Sequence, residues 1–282
     1  MKLYYDKTAT ATMDEALSRY AADEFESPCR STVPLLSWLK HEQPKVSSLL
    51  RAMDMPTGYN LHLEYRVKPP KCSGRASHTD LMVISGESSL AVEAKWTEPR
   101  YETVGKWLTK GSKPHNRREV LKGWLSLLQE HAQHTLQPED FSDAVYQMVH
   151  RAASACKAGK IPRLAYLVFK PSPDPKPAAI PKLRDDLTHL WSLLGNPNGF
   201  PFYLVEVQLS PTPAFKAIAP LPKGHKETAP LVKAALSGSD RPFCFEKYWL
   251  TRVGENVTQS TSYTEDPLVE QPGITVSEGG KL

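Results

Sequence analysis

The stretch that decides the fold is Thr79-Asp-Leu-Met-Val-Ile-Ser85, followed by Leu90-Ala-Val-Glu-Ala-Lys-Trp96. Each run is short and largely apolar, which is typical of a buried strand. The intervening Ser85-Gly-Glu-Ser-Ser89 has the composition of a turn. The sequence therefore predicts a β-hairpin that carries an acid, Asp80, at the start of its first strand.

Two acids and a lysine occupy matching positions in this hairpin. Because side chains alternate along a strand, Glu93 and Lys95 are predicted to share one face. The turn brings the start of the first strand beside the end of the second, so we expect Asp80 to lie next to Glu93. Neighbouring carboxylates repel each other unless a proton or cation lies between them. Mg²⁺, with Mn²⁺ as a substitute, is the cation that such oxygen ligands favour. Lys95 would then act on a water molecule or on the scissile phosphate.

The segments around the hairpin follow an α/β pattern. The segment from Met13 to about Lys40 is mostly helical in pattern, and Leu61-His-Leu-Glu-Tyr-Arg-Val67 alternates as a strand does. Periodicity further along predicts two helices, a strand, a helix and two strands, over residues 119–133, 138–157, 163–169, 181–194, 202–209 and 243–253. This order favours an α/β fold with a mixed central β-sheet flanked by helices.

The domain organisation follows from composition. We expect one domain over residues 1–253, with a helical N-terminal segment and with loops in the proline-rich stretches 171–181 and 211–222. Residues 254–282 are polar and rich in glycine, which predicts a flexible tail. No apolar stretch reaches the roughly 20 residues of a membrane span, and the four cysteines form no CxxC pair. These features are typical of a cytoplasmic protein with reduced thiols.

The charge is distributed unevenly along the chain. The net charge is only +4, but residues 100–184 contain 15 Lys/Arg and 7 Asp/Glu. A second basic run extends from Arg66 to Arg75, just before the hairpin. Basic segments on both sides of an acidic cluster favour a nucleic-acid partner. Trp107 would offer a stacking surface or belong to the core. The cations around it are candidates for holding a phosphate backbone, namely Lys106, Lys110, Lys113, Arg117 and Arg118.

An Asp followed by a hairpin whose second strand contains Glu-x-Lys resembles the PD-(D/E)XK, or restriction-endonuclease-like, nuclease superfamily. Asp80 and Glu93 match the two acidic positions and Lys95 matches the lysine, while Thr79 replaces the proline. The resemblance extends from Leu61 to about residue 169. It implies a Mg²⁺-dependent endonuclease that hydrolyses phosphodiester bonds, in DNA more than in RNA, in restriction, defence or repair.

The resemblance leaves several points open. Members often add a glutamate from the first helix, for which Glu26 and Glu24 are candidates. Glu64 would either reach the metal or pair with neighbouring cations. Some branches place a Tyr four residues after a helical Gln, whereas the residue four positions after Gln147 is Arg151.

The alternatives to a DNA nuclease are a catalytically silent nucleic-acid-binding or assembly module and a phosphodiesterase for RNA or small molecules. A homodimer or a partner protein is compatible with each of them.

Overall fold

The computed structural model describes residues 2–110, 114–255 and 258–262. Its strands are β1 (Leu3–Tyr5), β2 (Thr8–Thr10), β3 (Asn60–Val67), β4 (Ser77–Ser85), β5 (Ser88–Lys95), β6 (Ile161–Lys170), β7 (Phe202–Pro211), β8 (Phe243–Arg252) and β9 (Thr258–Ser262). Within the described ranges they form one nine-stranded sheet in the order β2-β1-β3-β4-β5-β6-β7-β8-β9. Strands β1 and β3, β5 and β6, and β6 and β7 pair in parallel, and the other neighbours are antiparallel.

Helices cover both faces of this sheet, so the predicted mixed sheet flanked by helices is confirmed. The helices are α1 (Met13–Arg19), α2 (Thr32–His41), α3 (Gln43–Ala52), α4 (Val104–Thr109), α5 (Pro114–Leu128), α6 (Tyr146–Ala158), α7 (Ile180–Leu193), α8 (Pro213–Ile218) and α9 (Thr228–Ser237). One hydrophobic core contains Trp38 of α2 and Val232 of α9, and the other contains Trp124 of α5 and Leu187 of α7. None of the helices in the described ranges combines the length and the apolar character of a membrane span.

Most of the predicted elements coincide with observed ones. The hairpin is β4 and β5, and the predicted strands over 163–169, 202–209 and 243–253 lie within or overlap β6, β7 and β8. The helix predicted from residue 138 begins only at Tyr146, because the preceding Pro138–Phe141 forms a separate 3₁₀ turn. Long apolar runs thus identified the elements that build the core.

Two expectations about the second half of the chain need correction. The stretch 211–222 was predicted to be a loop but contains α8, whose proline lies in the first turn, where its missing N–H is not needed. The flexible tail was predicted from residue 254, yet Thr258–Ser262 pairs with β8 as the edge strand of the sheet. Residues 263–282 lie outside the described residues.

The turn of the β4–β5 hairpin depends on a glycine. Gly86 is the first of two loop residues and has a φ of 56°, as two-residue hairpin turns require. Gly86→Ala is expected to lower the free energy of unfolding by about 1 kcal/mol, because a left-handed backbone brings the Cβ of an L-residue against its own carbonyl.

Gly199→Ala is the matched control for this substitution. At both positions an added Cβ would meet no atom within 4 Å, but only Gly86 has a left-handed backbone. The control is expected to be neutral or slightly stabilising. Urea unfolding of the two variants measures the difference, and equal destabilisation would show that the conformation of Gly86 is not the cause.

Candidate active site

A cleft of about 1150 Å³ opens where β5 ends. Its walls come from β3, β4, the loop after β5, the segment that leads into α2, and α6. Asp80, Glu93 and Lys95 all line this cleft, together with Glu64. The strands therefore bring the three residues of the predicted catalytic cluster to one cavity.

The strand register aligns three acids across adjacent strands. Leu63 pairs with Leu81, and Leu81 in turn pairs with Val92. Extending this register by one residue places Asp80 between Glu64 on β3 and Glu93 on β5. Asp80 also accepts a hydrogen bond at Oδ2 from the backbone N–H of Ala94, at 2.7 Å. Asp80 thus holds the two hairpin strands together at the point where their backbone pairing ends.

Glu93 is surrounded by donors. Its Oε1 accepts hydrogen bonds from Lys95 Nζ at 2.9 Å and from Gln147 Nε2 at 2.7 Å. Its Oε2 accepts one from Arg151 Nε at 2.5 Å. Gln147 and Arg151 are four residues apart on α6, so they extend from the same side of that helix. The arginine that departs from the Gln-x-x-x-Tyr pattern is therefore a direct partner of the second predicted catalytic acid.

Arg151 is itself fixed by a buried polar network. Its Nη1 donates to Ser77 Oγ at 2.7 Å, and Ser154 Oγ donates to the same hydroxyl at 3.1 Å. His150 Nδ1 lies 2.9 Å from Ser77 Oγ. Burial, reinforced by the charges of Arg151 and Lys95, lowers the pKa of His150 well below its usual value. A neutral His150 adds no positive charge, so the network presents only the guanidinium to Glu93.

The two central acids have opposite pKa shifts. Burial raises the pKa of Asp80 well above its usual value, and the charges of Glu93 and Glu64 outweigh the opposing effects of Arg151 and Lys95. Burial also disfavours ionised Glu93, but the charges and hydrogen bonds of Arg151 and Lys95 lower its pKa. Glu93 is therefore ionised at neutral pH, whereas the environment of Asp80 favours a bound proton or a cation in its place.

The backbone of Glu64 is unusual for a strand residue. Its φ of 50° lies in the left-handed region, which costs a non-glycine residue about 1–3 kcal/mol. The residue also reverses the pattern of β3, since Leu61 and Leu63 pack in one core whereas Tyr65 and Val67 pack in the other. The regular alternation that the sequence predicts for residues 61–67 would place these four apolar residues on one face, and the kink at Glu64 shows that this prediction is wrong. The kink leaves Glu64 in the cleft, with Oε2 3.6 Å from His78 Nδ1.

The available oxygen ligands suit a magnesium ion bound by few protein groups. In the described ranges, no three His, Cys, Asp or Glu side chains converge as a metal site. There too, no donor forms a hydrogen bond with Asp80 Oδ1 or with the Glu64 carboxylate, whose one basic neighbour within 4.0 Å is His78. Since Mg²⁺ is usually bound by one or two carboxylates plus water and phosphate oxygens, Asp80 and Glu64 fit it. Glu93 has less free capacity, because both of its oxygens already accept hydrogen bonds.

The two candidate glutamates of the N-terminal segment differ in position, since only Glu24 reaches the cleft. Glu26 pairs with Arg30 at 3.2 Å and approaches Lys223 at 3.7 Å, whereas Glu24 lines the cleft. Arg30 also pairs with Glu24, at 3.2 Å. Both candidate glutamates therefore have a basic partner that competes with a metal ion.

The predicted phosphate-binding cations that the structure describes lie outside the walls of the cleft. Lys110 pairs with Glu102 at 2.6 Å, and Arg117 packs on the ring of Trp107, 5.3 Å from its centroid. Trp107 also stacks on Tyr146, with ring centroids 3.7 Å apart, so Trp107 belongs to the packing between α4, α5 and α6. Lys106 and Arg118 are exposed on α4 and α5, and Lys113 lies outside the described residues.

Other cations line the cleft instead, and none of them is among the predicted phosphate-binding residues. They are Arg30, Arg75, Arg100 and Lys223. Arg75 ends the basic run 66–75, and Arg100 follows the Glu-x-Lys strand by five residues. The position of each residue in the sequence, close to the predicted acidic cluster, is therefore a signal that could have identified it. Lys223 comes from a distant loop and gives no sequence signal.

Comparison with known proteins identifies one family. Residues 9–205 match a family model described as domain of unknown function DUF6946. The match includes β3 to β6 and therefore Asp80, Glu93, Lys95, Gln147 and Arg151. Neither a curated protein nor a solved structure matches the chain. Since the family model spans well over half of the 282 residues, the chain belongs to the DUF6946 family.

Proposed function

We propose that the protein is a cytoplasmic, Mg²⁺-dependent nuclease of restriction-endonuclease-like architecture that hydrolyses phosphodiester bonds, in DNA more than in RNA. The observation that carries this proposal is the convergence of Asp80, Glu93 and Lys95 in one open cleft. A buried lysine beside buried acids is costly to desolvate. Such a cluster is therefore better explained by chemistry than by stability.

Each residue of the cluster has a separate role in this proposal. Asp80 and Glu64 would hold the metal, which when bound polarises the phosphate and lowers the pKa of a water molecule. Glu93 fixes the ammonium of Lys95 at 2.9 Å. Lys95 would place its charge or a proton where negative charge develops on the phosphate. Gln147 and Arg151 hold Glu93 in place through its two oxygens.

One observation favours a second candidate, a catalytically silent module of the same fold. Glu93 accepts hydrogen bonds from Lys95, Gln147 and Arg151. An acid with this many donors resembles a structural ion-pair centre, which would hold α6 against β5 without chemistry. This candidate retains nucleic-acid binding but predicts no cleavage.

A cleavage assay distinguishes the candidates. Plasmid, single-stranded DNA and RNA are incubated with the protein and Mg²⁺, with a chelator as the control. The proposed nuclease cleaves at least one of them only when Mg²⁺ is present. Binding without cleavage of any substrate supports the silent module, and cleavage that persists in chelator excludes the metal mechanism.

Binding is expected to weaken steeply as salt rises. The cations of the cleft and its surroundings would contact phosphates, and each neutralised phosphate releases counterions. For three or four contacts to a single strand, the slope of log affinity against log salt is about −2 to −3. Fluorescence anisotropy with a labelled oligonucleotide measures this slope. An affinity that does not change with salt concentration would exclude a phosphate-binding cleft.

A further inference from the structure

Two adjacent residues in the loop after β5 have properties that the proposed chemistry does not use. Arg100 and Tyr101 both line the cleft. Tyr101 is 46% exposed and is one of three large hydrophobic side chains that are exposed in the described residues, with Ile161 and Leu231. An exposed aromatic ring in the wall of a polar cleft is a natural stacking surface.

Two hydrogen bonds to Asp186 fix the orientation of the Arg100 guanidinium. Its Nε donates to Asp186 Oδ2 at 2.6 Å, and its Nη2 donates to Asp186 Oδ1 at 3.0 Å. Asp186 is buried on α7, with 5% of its surface exposed. A guanidinium has five N–H donors, and this bidentate contact uses one edge of it. Within the described residues its other N–H groups make no hydrogen bond, and Arg100 lines the cleft, so these donors are available to a phosphate.

The combination of a ring and an oriented guanidinium restricts the form of the substrate. An aromatic side chain stacks on a base only when that base is outside the helical stack, either in a single strand or flipped out of a duplex. The cleft of about 1150 Å³ is close to the upper end of small-ligand pockets, about 1,000 Å³. It thus suits a short, splayed piece of strand.

We propose that Arg100 and Tyr101 form a subsite for one unpaired nucleotide, with Tyr101 stacked on its base and Arg100 bound to its phosphate. Asp186 is a positioning residue that acts through Arg100. The inference rests on the proposed nuclease function and specifies its substrate class as an unpaired strand. The shared chemistry, a base and its phosphate, exists in DNA and in RNA.

The test compares the affinity for single strands with that for duplex when cleavage is prevented. Anisotropy is measured in chelator, using labelled single-stranded DNA, single-stranded RNA and duplex DNA of one sequence. Wild type is expected to bind one or both single strands about tenfold or more tightly than duplex. Tyr101→Ala is expected to lose about tenfold in single-strand affinity, whereas Tyr101→Phe retains it. Leu231→Ala, a matched exposed residue with 44% of its surface exposed, is the control and is expected to bind as wild type does.

The role of Asp186 is tested by a double-mutant cycle. Asp186→Asn is expected to weaken single-strand binding several-fold in the wild-type background. In the Arg100→Ala background it is expected to have no further effect on binding, which a purely structural role of Asp186 would not produce. Equal losses in both backgrounds would overturn the positioning role.

The outcomes also separate this inference from the proposed function. Metal-dependent cleavage of duplex, with equal affinity for duplex and single strand in wild type and Tyr101→Ala, overturns the subsite and leaves the nuclease intact. Failure of every nucleic acid to bind or be cleaved overturns both proposals. Preference for one single strand over the other identifies DNA or RNA as the source of the unpaired nucleotide.

Discussion

Lys95→Ala is expected to lower the turnover number for nucleic-acid cleavage by about a hundredfold or more while leaving metal binding nearly intact. An ammonium is not a ligand for Mg²⁺, so its removal spares the metal. Removal of a preorganised group that stabilises developing charge costs about 10²–10³ in turnover. Cleavage rates at saturating substrate, together with calorimetric Mn²⁺ titration, measure both properties.

Asp80→Ala is expected to behave differently, losing metal binding and cleavage together. The control is Lys216→Ala, which removes an exposed lysine on α8 and should change neither property. Substrate binding is expected to survive Lys95→Ala and Asp80→Ala better than turnover does, because the cleft cations are separate groups. If Lys95→Ala cleaves at the wild-type rate, Lys95 has no catalytic role.

Arg151→Met is expected to lower the free energy of unfolding by about 3 kcal/mol, the lower end of the range for removing one partner of a buried ion pair, because Glu93 keeps Lys95 as its second cationic partner. Only 8% of the Arg151 side chain and 4% of the Glu93 side chain are exposed. The substitution also removes the donor to Ser77, which anchors the start of β4. Urea unfolding measures the loss, and Arg118→Ala, an exposed residue on α5, is expected to stay within about 0.5 kcal/mol of wild type.

A double-mutant cycle assigns this loss to the ion pair. Combining Arg151→Met with Glu93→Gln removes both charges, so the double variant is expected to be more stable than the sum of the single effects predicts, by about 1–3 kcal/mol. Strict additivity would mean that Arg151 stabilises the fold through packing and the Ser77 network.

The elements that surround the site were predictable because their hydrophobic patterns are long and continuous. Strand β5 is completely buried and the apolar run of β4 is largely buried. Burial and local propensity therefore both favour a β-strand at these residues. The three-residue strands β1 and β2 are too short to produce a pattern. Helix α8 lies in a proline-rich stretch whose composition is typical of a loop, and the sequence pattern predicts no element over α9.

The core of the site was predictable to the extent that it depends on local alternation. Glu93 and Lys95 are two residues apart on one strand, so their contact follows from strand geometry. The left-handed Glu64 could not be predicted, because it reverses the alternation on which the prediction rested. The contact of Arg151 with Glu93 depends on how α6 packs on β5, and the position of Lys223 depends on a distant loop. Tertiary packing determines both.

The measurement that tests the central claim most directly is anomalous diffraction from crystals soaked in Mn²⁺. We expect an anomalous peak at bonding distance from a carboxylate oxygen of Asp80, with Glu64 or Glu93 as a second ligand and Lys95 on the same side of the cleft. For Mg²⁺ the corresponding metal–oxygen distances would be about 2.0–2.1 Å. The absence of a peak at Asp80 in crystals whose cleft is open to solvent, or a peak bound only elsewhere on the chain, would contradict a metal-dependent nuclease site at this hairpin.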